Sequence, residues 1–422
     1  MTKLPFVILT LFLFFNQNYL ETKPKSASPT VKLGIDVLLE SNFNLIQGKK
    51  VALLTNNAGR NSKGKLTAEI FSKSKEFELV SIFTPEHGFF CDVPAGKYVD
   101  NDTLYNVPVY SLYGANRKPL KYQLEGCDVV VVDLQDIGIR SYTYISTMFK
   151  MMEACAENQI PIIILDRPNP LGGLIVDGNV VEKGRESFVG IIPVSYIHGC
   201  TIGELAKMIN GEGWLSEFEN GEQKKCDLTV VKMKKWQRWM SWEDTGLEWL
   251  PTSPNIPTTD AIKGAAITGI FGELGIANLA IGTKIPFQYI GFKGFDTEQV
   301  LKRLKKYRFN GIKFIPTNYS EIVNRNGSSE INGLKLEFSL DNHFLPYTYG
   351  FRIFLQIRKI HPERFNPDNI KPNAKTMFIK VTGTEKLFDM LFVSKERDSK
   401  IIREASSGIK DFTKTRIKYL LY

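Results

Sequence analysis

The predicted buried strands of this chain end in segments that contain acids, histidines and arginines. One strand runs into residues 84–88, Thr-Pro-Glu-His-Gly, and a valine-rich strand runs into residues 133–140, Asp-Leu-Gln-Asp-Ile-Gly-Ile-Arg. The next ends at residues 166–170, Asp-Arg-Pro-Asn-Pro, and another at residues 196–199, Tyr-Ile-His-Gly. Because ligands of an open parallel sheet bind beyond the carboxyl ends of its strands, these four ends predict one shared polar rim.

Carboxylates at this rim favour acid/base chemistry. Cleavage of a glycosidic bond needs a carboxylic acid that protonates the leaving oxygen, and usually a second carboxylate that acts as base or nucleophile. Glu86 is the candidate acid, because it follows an apolar strand, where desolvation is expected to raise its pKa; a positive charge on the adjacent His87 would oppose this. Asp133 and Asp136 are the candidates for the second role. Each residue taken singly could instead be a helix cap or part of a turn, and the convergence of four strand ends favours a functional interpretation.

Other common chemistries lack their sequence signatures. Residues 56–60, Asn-Asn-Ala-Gly-Arg, follow the first strand and hold a single glycine where a dinucleotide or ATP site needs a glycine-rich loop. We therefore expect no nucleotide cofactor. No Gly-x-Ser-x-Gly segment is present, which disfavours a serine esterase. The histidines and cysteines show no metal-ligand spacing, so the sequence predicts no metal site and no other cofactor.

The charge distribution and the first residues bear on partners and location. The net charge is +9, but Lys and Arg are scattered along the chain, so we expect no nucleic-acid partner. Residues 1–20 join a short basic segment to an apolar run, which is typical of a secretory signal peptide. Residues 21–30 are rich in Lys, Ser and Pro and predict a tether. We expect an exported protein, periplasmic or secreted, that meets the membrane only if its N-terminal segment stays uncleaved.

Apolar strands that alternate with amphipathic helices predict an α/β fold. Four consecutive valines at residues 129–132 are typical of a strand covered on both faces. The alternation indicates a doubly wound parallel sheet, and a length of 422 residues indicates more than one domain. We predict a Rossmann-like domain over residues 31–259 and a smaller α+β domain over residues 260–422, with the active site in the cleft between them.

The same segments resemble a known family, the exo-β-N-acetylmuramidases of glycoside hydrolase family 171, formerly a domain of unknown function. The resemblance extends over roughly residues 33–422. The matching motifs follow one another in the family's order, at residues 54–59, 84–89, 108–114, 133–142, 165–170, 203–206, 253–258 and 419–422. The chain departs from the commoner pattern at residues 272–283, where mostly apolar residues replace a polar Ser-Glu-x-Arg part.

The resemblance implies both a fold and an activity. The fold is a Rossmann-like domain with a smaller C-terminal domain over its cleft. The activity is exo-acting hydrolysis that releases N-acetylmuramic acid, or a related N-acetylated sugar, from the non-reducing ends of peptidoglycan fragments during cell-wall turnover or recycling. Glu86 matches the family's proposed catalytic acid. The alternative is a non-catalytic exported protein that binds such fragments.

Further polar residues of these segments are candidates for contacts with the sugar. An arginine, Arg140 or Arg167, can bind the lactyl carboxylate of muramic acid with a bidentate guanidinium. If the acetamido oxygen of the substrate is the nucleophile, then Asp136, Tyr144 or His198 is expected to orient that amide. The predicted sugar-binding set is Asn56, His87, Arg140, Tyr142, Tyr144, Asp166, Arg167, Asn169, His198 and Asn255.

Overall fold

The computed structural model describes residues 31–323, 331–339 and 343–422. The predicted signal peptide, residues 1–20, and the predicted tether, residues 21–30, lie outside the described residues. Among the helices in the described ranges, none combines the length and the apolar character that crossing a membrane requires.

A seven-stranded sheet forms the centre of the N-terminal part. The strands of this part are β1 (Lys50–Thr55), β2 (Glu78–Thr84), β3 (Asp102–Leu104), β4 (Val107–Ser111), β5 (Val129–Asp133), β6 (Ile162–Leu165), β7 (Asp177–Val180), β8 (Ser195–Ile197) and β9 (Leu228–Val231). The sheet has the order β3-β4-β2-β1-β5-β6-β9. Only β3 runs antiparallel to its neighbour, so the sheet is mostly parallel, as predicted.

Helices cover both faces of this sheet. They are α1 (Gly34–Glu40), α2 (Thr67–Ser72), α3 (Tyr144–Asn158) and α4 (Ile202–Gly211). Alternate residues of β5 point to opposite faces: Val130 and Val132 pack with α3 and α4, and Val129 and Val131 pack with α1 and α2. This confirms the doubly wound arrangement. The four valines are buried because helices lie above and below them.

The fourth predicted strand end does not belong to this sheet. Strand β8 pairs antiparallel with β7 in a separate two-stranded sheet, so the prediction of four parallel strand ends on one rim is wrong for β8. The place beside β6 is taken by β9, whose sequence is Leu-Thr-Val-Val. A three-residue strand offers few ladder hydrogen bonds, whereas the β-branched residues of β9 suit a pleated, half-buried edge.

The C-terminal part combines helices with a small antiparallel sheet. Its strands β10 (Tyr289–Lys293), β11 (Ile312–Asn318) and β12 (Ile331–Phe338) lie in the order β10-β12-β11. Its helices are α5 (Thr259–Gly272), α6 (Thr297–Leu304), α7 (Tyr319–Val323), α8 (Pro346–Ile360), α9 (Pro372–Thr382), α10 (Lys386–Phe388), α11 (Asp398–Glu404) and α12 (Ile409–Ile417). Helices α5 and α8 form the centre of its core, where the rings of Phe271 and Phe354 stack with centroids 3.8 Å apart.

The end of the chain returns to the N-terminal part. Phe412 of α12 packs into the core between the sheet and helices α3 and α4. The hydroxyl of the last residue, Tyr422, donates to the buried carboxylate of Asp166 at 2.7 Å and accepts from the amide of Met233 at 2.8 Å. The C-terminus therefore ties the carboxyl end of β6 to the segment that follows β9.

Replacing Tyr422 with Phe tests this tie. The change leaves the Met233 amide without its acceptor and removes one donor from buried Asp166, so we expect a loss of about 1–3 kcal/mol in the free energy of unfolding, measured by urea titration. Tyr419→Phe is the matched control, because the Tyr419 hydroxyl donates to Glu212, which is partly exposed to solvent. Equal losses in the two variants would contradict a specific role for Tyr422.

Candidate active site

A cavity of about 400 Å³ lies between the two parts of the chain. The N-terminal part contributes the end of β2 and the segment between β5 and α3. The C-terminal part contributes one side of α5 and residues Met377 and Val381 of α9. The connecting segment adds Ser253 and Asn255. A site built here depends on the position of both parts.

Glu86 lies in the wall of this cavity just after β2. The two residues that follow it, His87 and Gly88, both have φ of +72°, so the chain turns sharply and leaves the Glu86 side chain beside the cavity. One carboxylate oxygen accepts from the amide of Gly96 at 2.9 Å, and the other accepts from the hydroxyl of Thr143 at 2.7 Å. These two bonds fix the orientation of the carboxylate.

His87 and Tyr113 lie beside Glu86 on the same wall. The Nδ1 of His87 is 2.7 Å from the carbonyl oxygen of Val93. Because a carbonyl only accepts, Nδ1 carries a proton, and Nε2 is the nitrogen left for other partners. Burial, followed by the nearby charge of Glu86, raises the pKa of Tyr113 to about 12, so its hydroxyl stays protonated and can donate.

A buried chain of hydrogen bonds supports the wall behind Tyr142. The hydroxyl of Tyr142, which lines the cavity, donates to the Thr252 hydroxyl at 2.7 Å. Tyr144 donates to the Thr252 carbonyl at 2.6 Å and accepts from the Asn56 amide at 2.8 Å. Tyr144 and Asn56 are fully buried and do not reach the cavity. Burial raises the pKa of both tyrosines, so they act as neutral hydroxyls.

Asp133 and Arg167 form a fully buried ion pair away from the cavity. The Nε of Arg167 lies 2.6 Å from one oxygen of Asp133 and its Nη2 lies 2.9 Å from the other, and the Thr67 hydroxyl adds a further bond. The pair joins the carboxyl ends of β5 and β6. The structure therefore gives no support to Asp133 as the second catalytic carboxylate, or to Arg167 as the partner of a lactyl carboxylate.

Arg140 crosses from one part of the chain to the other. Its Nη1 donates to the carbonyls of Asn179 and Val194, and its Nη2 donates to those of Val381 and Thr382 at 2.9 Å each. The side chain is buried, and burial lowers its pKa to about 10. Since these donors already bind main-chain carbonyls, the structure gives no support to Arg140 as the residue that binds the lactyl carboxylate of the substrate.

Asp166 and Asn169 stabilise the loops that follow β6. Asp166 accepts from the Thr201 hydroxyl at 2.8 Å and the Gly203 amide at 2.8 Å, at the start of α4. Asn169 donates to the Cys200 carbonyl and lies against Gly138, where an added Cβ would be 2.3 Å from its Oδ1. Gly138 has φ of +80°, so only glycine fits there without strain. Neither polar side chain lines the cavity.

Asp136 and His198 face each other in the interior. The Nδ1 of His198 accepts from the Cys200 amide, so in the neutral ring Nε2 carries the proton, and this atom lies 3.6 Å from Asp136 Oδ2. Asp136 Oδ2 also accepts from the Gly138 amide at 2.7 Å. Neither residue is among those that line the cavity. Their predicted roles as second catalytic group or amide-orienting group stay predictions.

The structure thus brings four of the predicted site residues to one cavity: Glu86, His87, Tyr142 and Asn255. It also places there residues that were not assigned a role from the sequence, namely Ser141, Thr143, Tyr196 and Glu273. Ser141 and Thr143 flank Tyr142, so the motif itself could have indicated them. The signal for Glu273 is weaker: it is the single acid in the apolar and glycine-rich stretch 267–287.

The described residues offer no other obvious centre for chemistry. Within residues 31–323, 331–339 and 343–422, no group of three or more His, Cys, Asp or Glu side chains is placed to hold a metal ion. All five cysteines are free thiols, and four of them are buried.

Comparison with known proteins places the chain in a family. Residues 51–260 match the N-terminal model of the exo-β-N-acetylmuramidase NamZ, and residues 266–422 match its C-terminal model. The chain belongs to this exo-β-N-acetylmuramidase family. It is 34% identical over 403 residues to the peptidoglycan β-N-acetylmuramidase NamZ of Bacillus subtilis (strain 168), an alignment that covers 93% of this chain and 92% of the relative.

Two solved structures of Bacteroides fragilis NCTC 9343, both described as DUF1343 family proteins, share the fold. The first is 36% identical with a TM-score of 0.82, and the second is 28% identical with a TM-score of 0.68. Each alignment covers 93% of this chain and 99% of the other. The two-part architecture is therefore that of the exo-β-N-acetylmuramidase family along nearly its whole length.

Arg140→Lys tests the connection between the two parts of the chain. Lysine keeps the charge but cannot reach four carbonyls with a planar fork, so buried carbonyls lose their donors. We expect the free energy of unfolding to fall by about 2–5 kcal/mol in urea titration. Arg185→Lys is the control, since Arg185 pairs with Glu385 at 3.1 Å on the exposed surface and should change stability by about 0.5 kcal/mol or less. Similar effects of the two changes would contradict the role of Arg140.

Proposed function

We propose that this chain is an exo-acting β-N-acetylmuramidase, which releases N-acetylmuramic acid from the non-reducing ends of peptidoglycan fragments. The observation that carries the proposal is Glu86, held by hydrogen bonds to both carboxylate oxygens in a cavity between the two parts of the chain. Membership of the family supports the reaction class, and the curated relative carries that activity in its name.

The cavity has the size and lining that a single sugar needs. Its volume of about 400 Å³ falls in the range of about 300–1,000 Å³ that is usual for small-molecule sites. Tyr113 and Tyr142 offer aromatic surface and hydroxyl groups, while His87 and Asn255 offer polar atoms. We propose that these four side chains contact the sugar around Glu86.

Glu86 acts in this proposal as a carboxylate close to the anomeric carbon. The acid role that the sequence assigns to it stays a prediction. The amide of Gly96 can only donate, so the oxygen that it contacts is not the one that carries a proton. Two fixed donors suit a carboxylate that stabilises the positive charge of an oxocarbenium-like transition state.

Glu86→Gln tests the proposal. We expect kcat/KM for a muramic-acid-terminated disaccharide to fall by about 10²–10⁴-fold, because the neutral amide cannot stabilise positive charge or exchange a proton. The measurement is release of free monosaccharide. Thermal unfolding should stay close to wild type, since glutamine keeps an oxygen that accepts from Gly96 or Thr143.

Glu248→Gln is the matched control. Glu248 is an exposed acid that lines a different depression of the surface, and its replacement should leave turnover unchanged. Wild-type turnover in Glu86→Gln would remove Glu86 from the reaction. Retention of the disaccharide without product by the wild-type chain would favour the alternative, a protein that binds peptidoglycan fragments without cleaving them.

We also propose that the protein is exported, to the periplasm or to the medium. Support comes from the sequence of residues 1–20, a short basic start followed by an apolar run. Removal of residues 2–20 should keep the protein in the cytoplasmic fraction of a fractionated cell. The full chain should appear in the periplasmic or secreted fraction, and an unchanged distribution would contradict export through this segment.

A further inference from the structure

Glu273 faces the cavity from the C-terminal part of the chain. It follows directly after α5, and Ala265 and Gly269 precede it at intervals of four residues. Because residues four apart lie on one side of a helix, all three line the cavity, and the two small residues leave its volume open in front of the carboxylate. Glu86 lies on the N-terminal side of the same cavity, so each part of the chain supplies one carboxylate.

The surroundings of the two carboxylates differ. Glu86 is fixed by Gly96 and Thr143, whereas the carboxyl group of Glu273 makes no hydrogen bond or ion pair with any other residue that the structure describes. Its side chain is accessible from the cavity. Partial burial raises the pKa of the Glu273 carboxyl group above its ordinary value, although the residue keeps an exposed surface, and no hydrogen bond or cation opposes this direction. A carboxyl group of this kind is suited to carrying a proton.

The hydroxyl groups of Ser141, Thr143 and Tyr196 line the same cavity as the two acids. Thr143 donates to Glu86, and the Ser141 hydroxyl lies 3.1 Å from that of Tyr196. An added Cβ on Gly269 would be 3.8 Å from the Tyr196 hydroxyl. Burial chiefly, with a smaller contribution from the nearby Glu273, raises the pKa of Tyr196 to about 12. Glu273 therefore lies near Tyr196, in the same cavity as Glu86.

We propose that Glu273 is the second catalytic carboxylate and the proton donor to the glycosidic oxygen, an assignment that rests on the proposed function. As the bond from the anomeric carbon to the leaving oxygen breaks, its electron pair stays on that oxygen, which takes the proton of Glu273 and departs as a hydroxyl group. Glu86 stabilises the positive charge at the anomeric carbon. Water then bonds to this carbon and gives one proton to Glu273, which restores the starting state.

Two substrates with different leaving groups test the assignment. A sugar leaving group needs protonation, whereas an activated phenol does not. In Glu273→Gln we expect kcat/KM for the muramic-acid-terminated disaccharide to fall by about 10²–10⁴-fold. For a nitrophenyl β-glycoside of N-acetylmuramic acid, the same variant should lose less than about tenfold. Glu86→Gln should impair both substrates, and Glu248→Gln should impair neither.

The pH dependence gives a second readout. The titratable groups that face Glu273 across the cavity are Glu86, His87, Tyr113, Tyr142 and Tyr196. The wild-type disaccharide reaction should lose activity as the pH rises above the pKa of Glu273, because the proton donor is then ionised. Glu273→Gln should lose this basic limb. The tyrosines with resolved shifts have raised pKa values and stay protonated over this range.

The outcomes separate this assignment from the proposed function. Equal losses of Glu273→Gln on the two substrates, or wild-type turnover of the disaccharide, would overturn the role of Glu273 while Glu86 keeps its own. If the wild-type chain hydrolyses neither substrate, the proposed function fails and the role of Glu273 fails with it. Thermal unfolding of Glu273→Gln should match wild type, since the carboxylate holds no described partner.

Discussion

The geometry of the cavity depends on one buried cation. Arg140 donates to carbonyls of Asn179 and Val194 in the N-terminal part and to those of Val381 and Thr382 in α9. Removing a guanidinium from water is costly, and here main-chain carbonyls replace the lost hydration. The neighbours of Arg140 in sequence, Ile139 and Ser141, line one side of the cavity, and Val381 lines the other. The same side chain that joins the two parts therefore sets the distance between the walls.

Several polar residues at the strand ends stabilise the fold, although their positions in the sequence are those expected of catalytic residues. A parallel sheet leaves its carboxyl edge with loops that must satisfy their own polar groups. Asp133 and Arg167 join two strand ends as an ion pair, and Asp166 binds the start of α4. Glu86 differs from Asp133, Arg167 and Asp166 because it is held in place by hydrogen bonds and still lies in the wall of the cavity. Residue type and strand position alone do not separate these cases.

Helices and strands were largely predictable where the local sequence pattern determines them. The four valines of β5 are such a local signal, and the structure confirms the strand. The Thr201–Glu204 capping box at the start of α4 is another local feature. The position of β8 was not predictable, because strand partners depend on contacts between residues distant in sequence. The site shows the same limit. Glu86 is marked by its motif, but Thr143 reaches it across 57 positions and Glu273 lies 187 residues later, so only the folded chain brings them together.

The wall of the cavity does not share the positive net charge of the whole chain. The chain carries a net charge of +9, yet no Lys or Arg is among the described residues that line the cavity, and the carboxyl groups there are those of Glu86 and Glu273. The basic balance is therefore not a property of this site. An anionic sugar bound here has to meet neutral donors, such as the hydroxyl of Tyr113 or the side-chain amide of Asn255. The two acids differ in their surroundings: Glu86 accepts two hydrogen bonds, whereas the Glu273 carboxyl group has no described partner, and this difference suits Glu273 to carrying the proton.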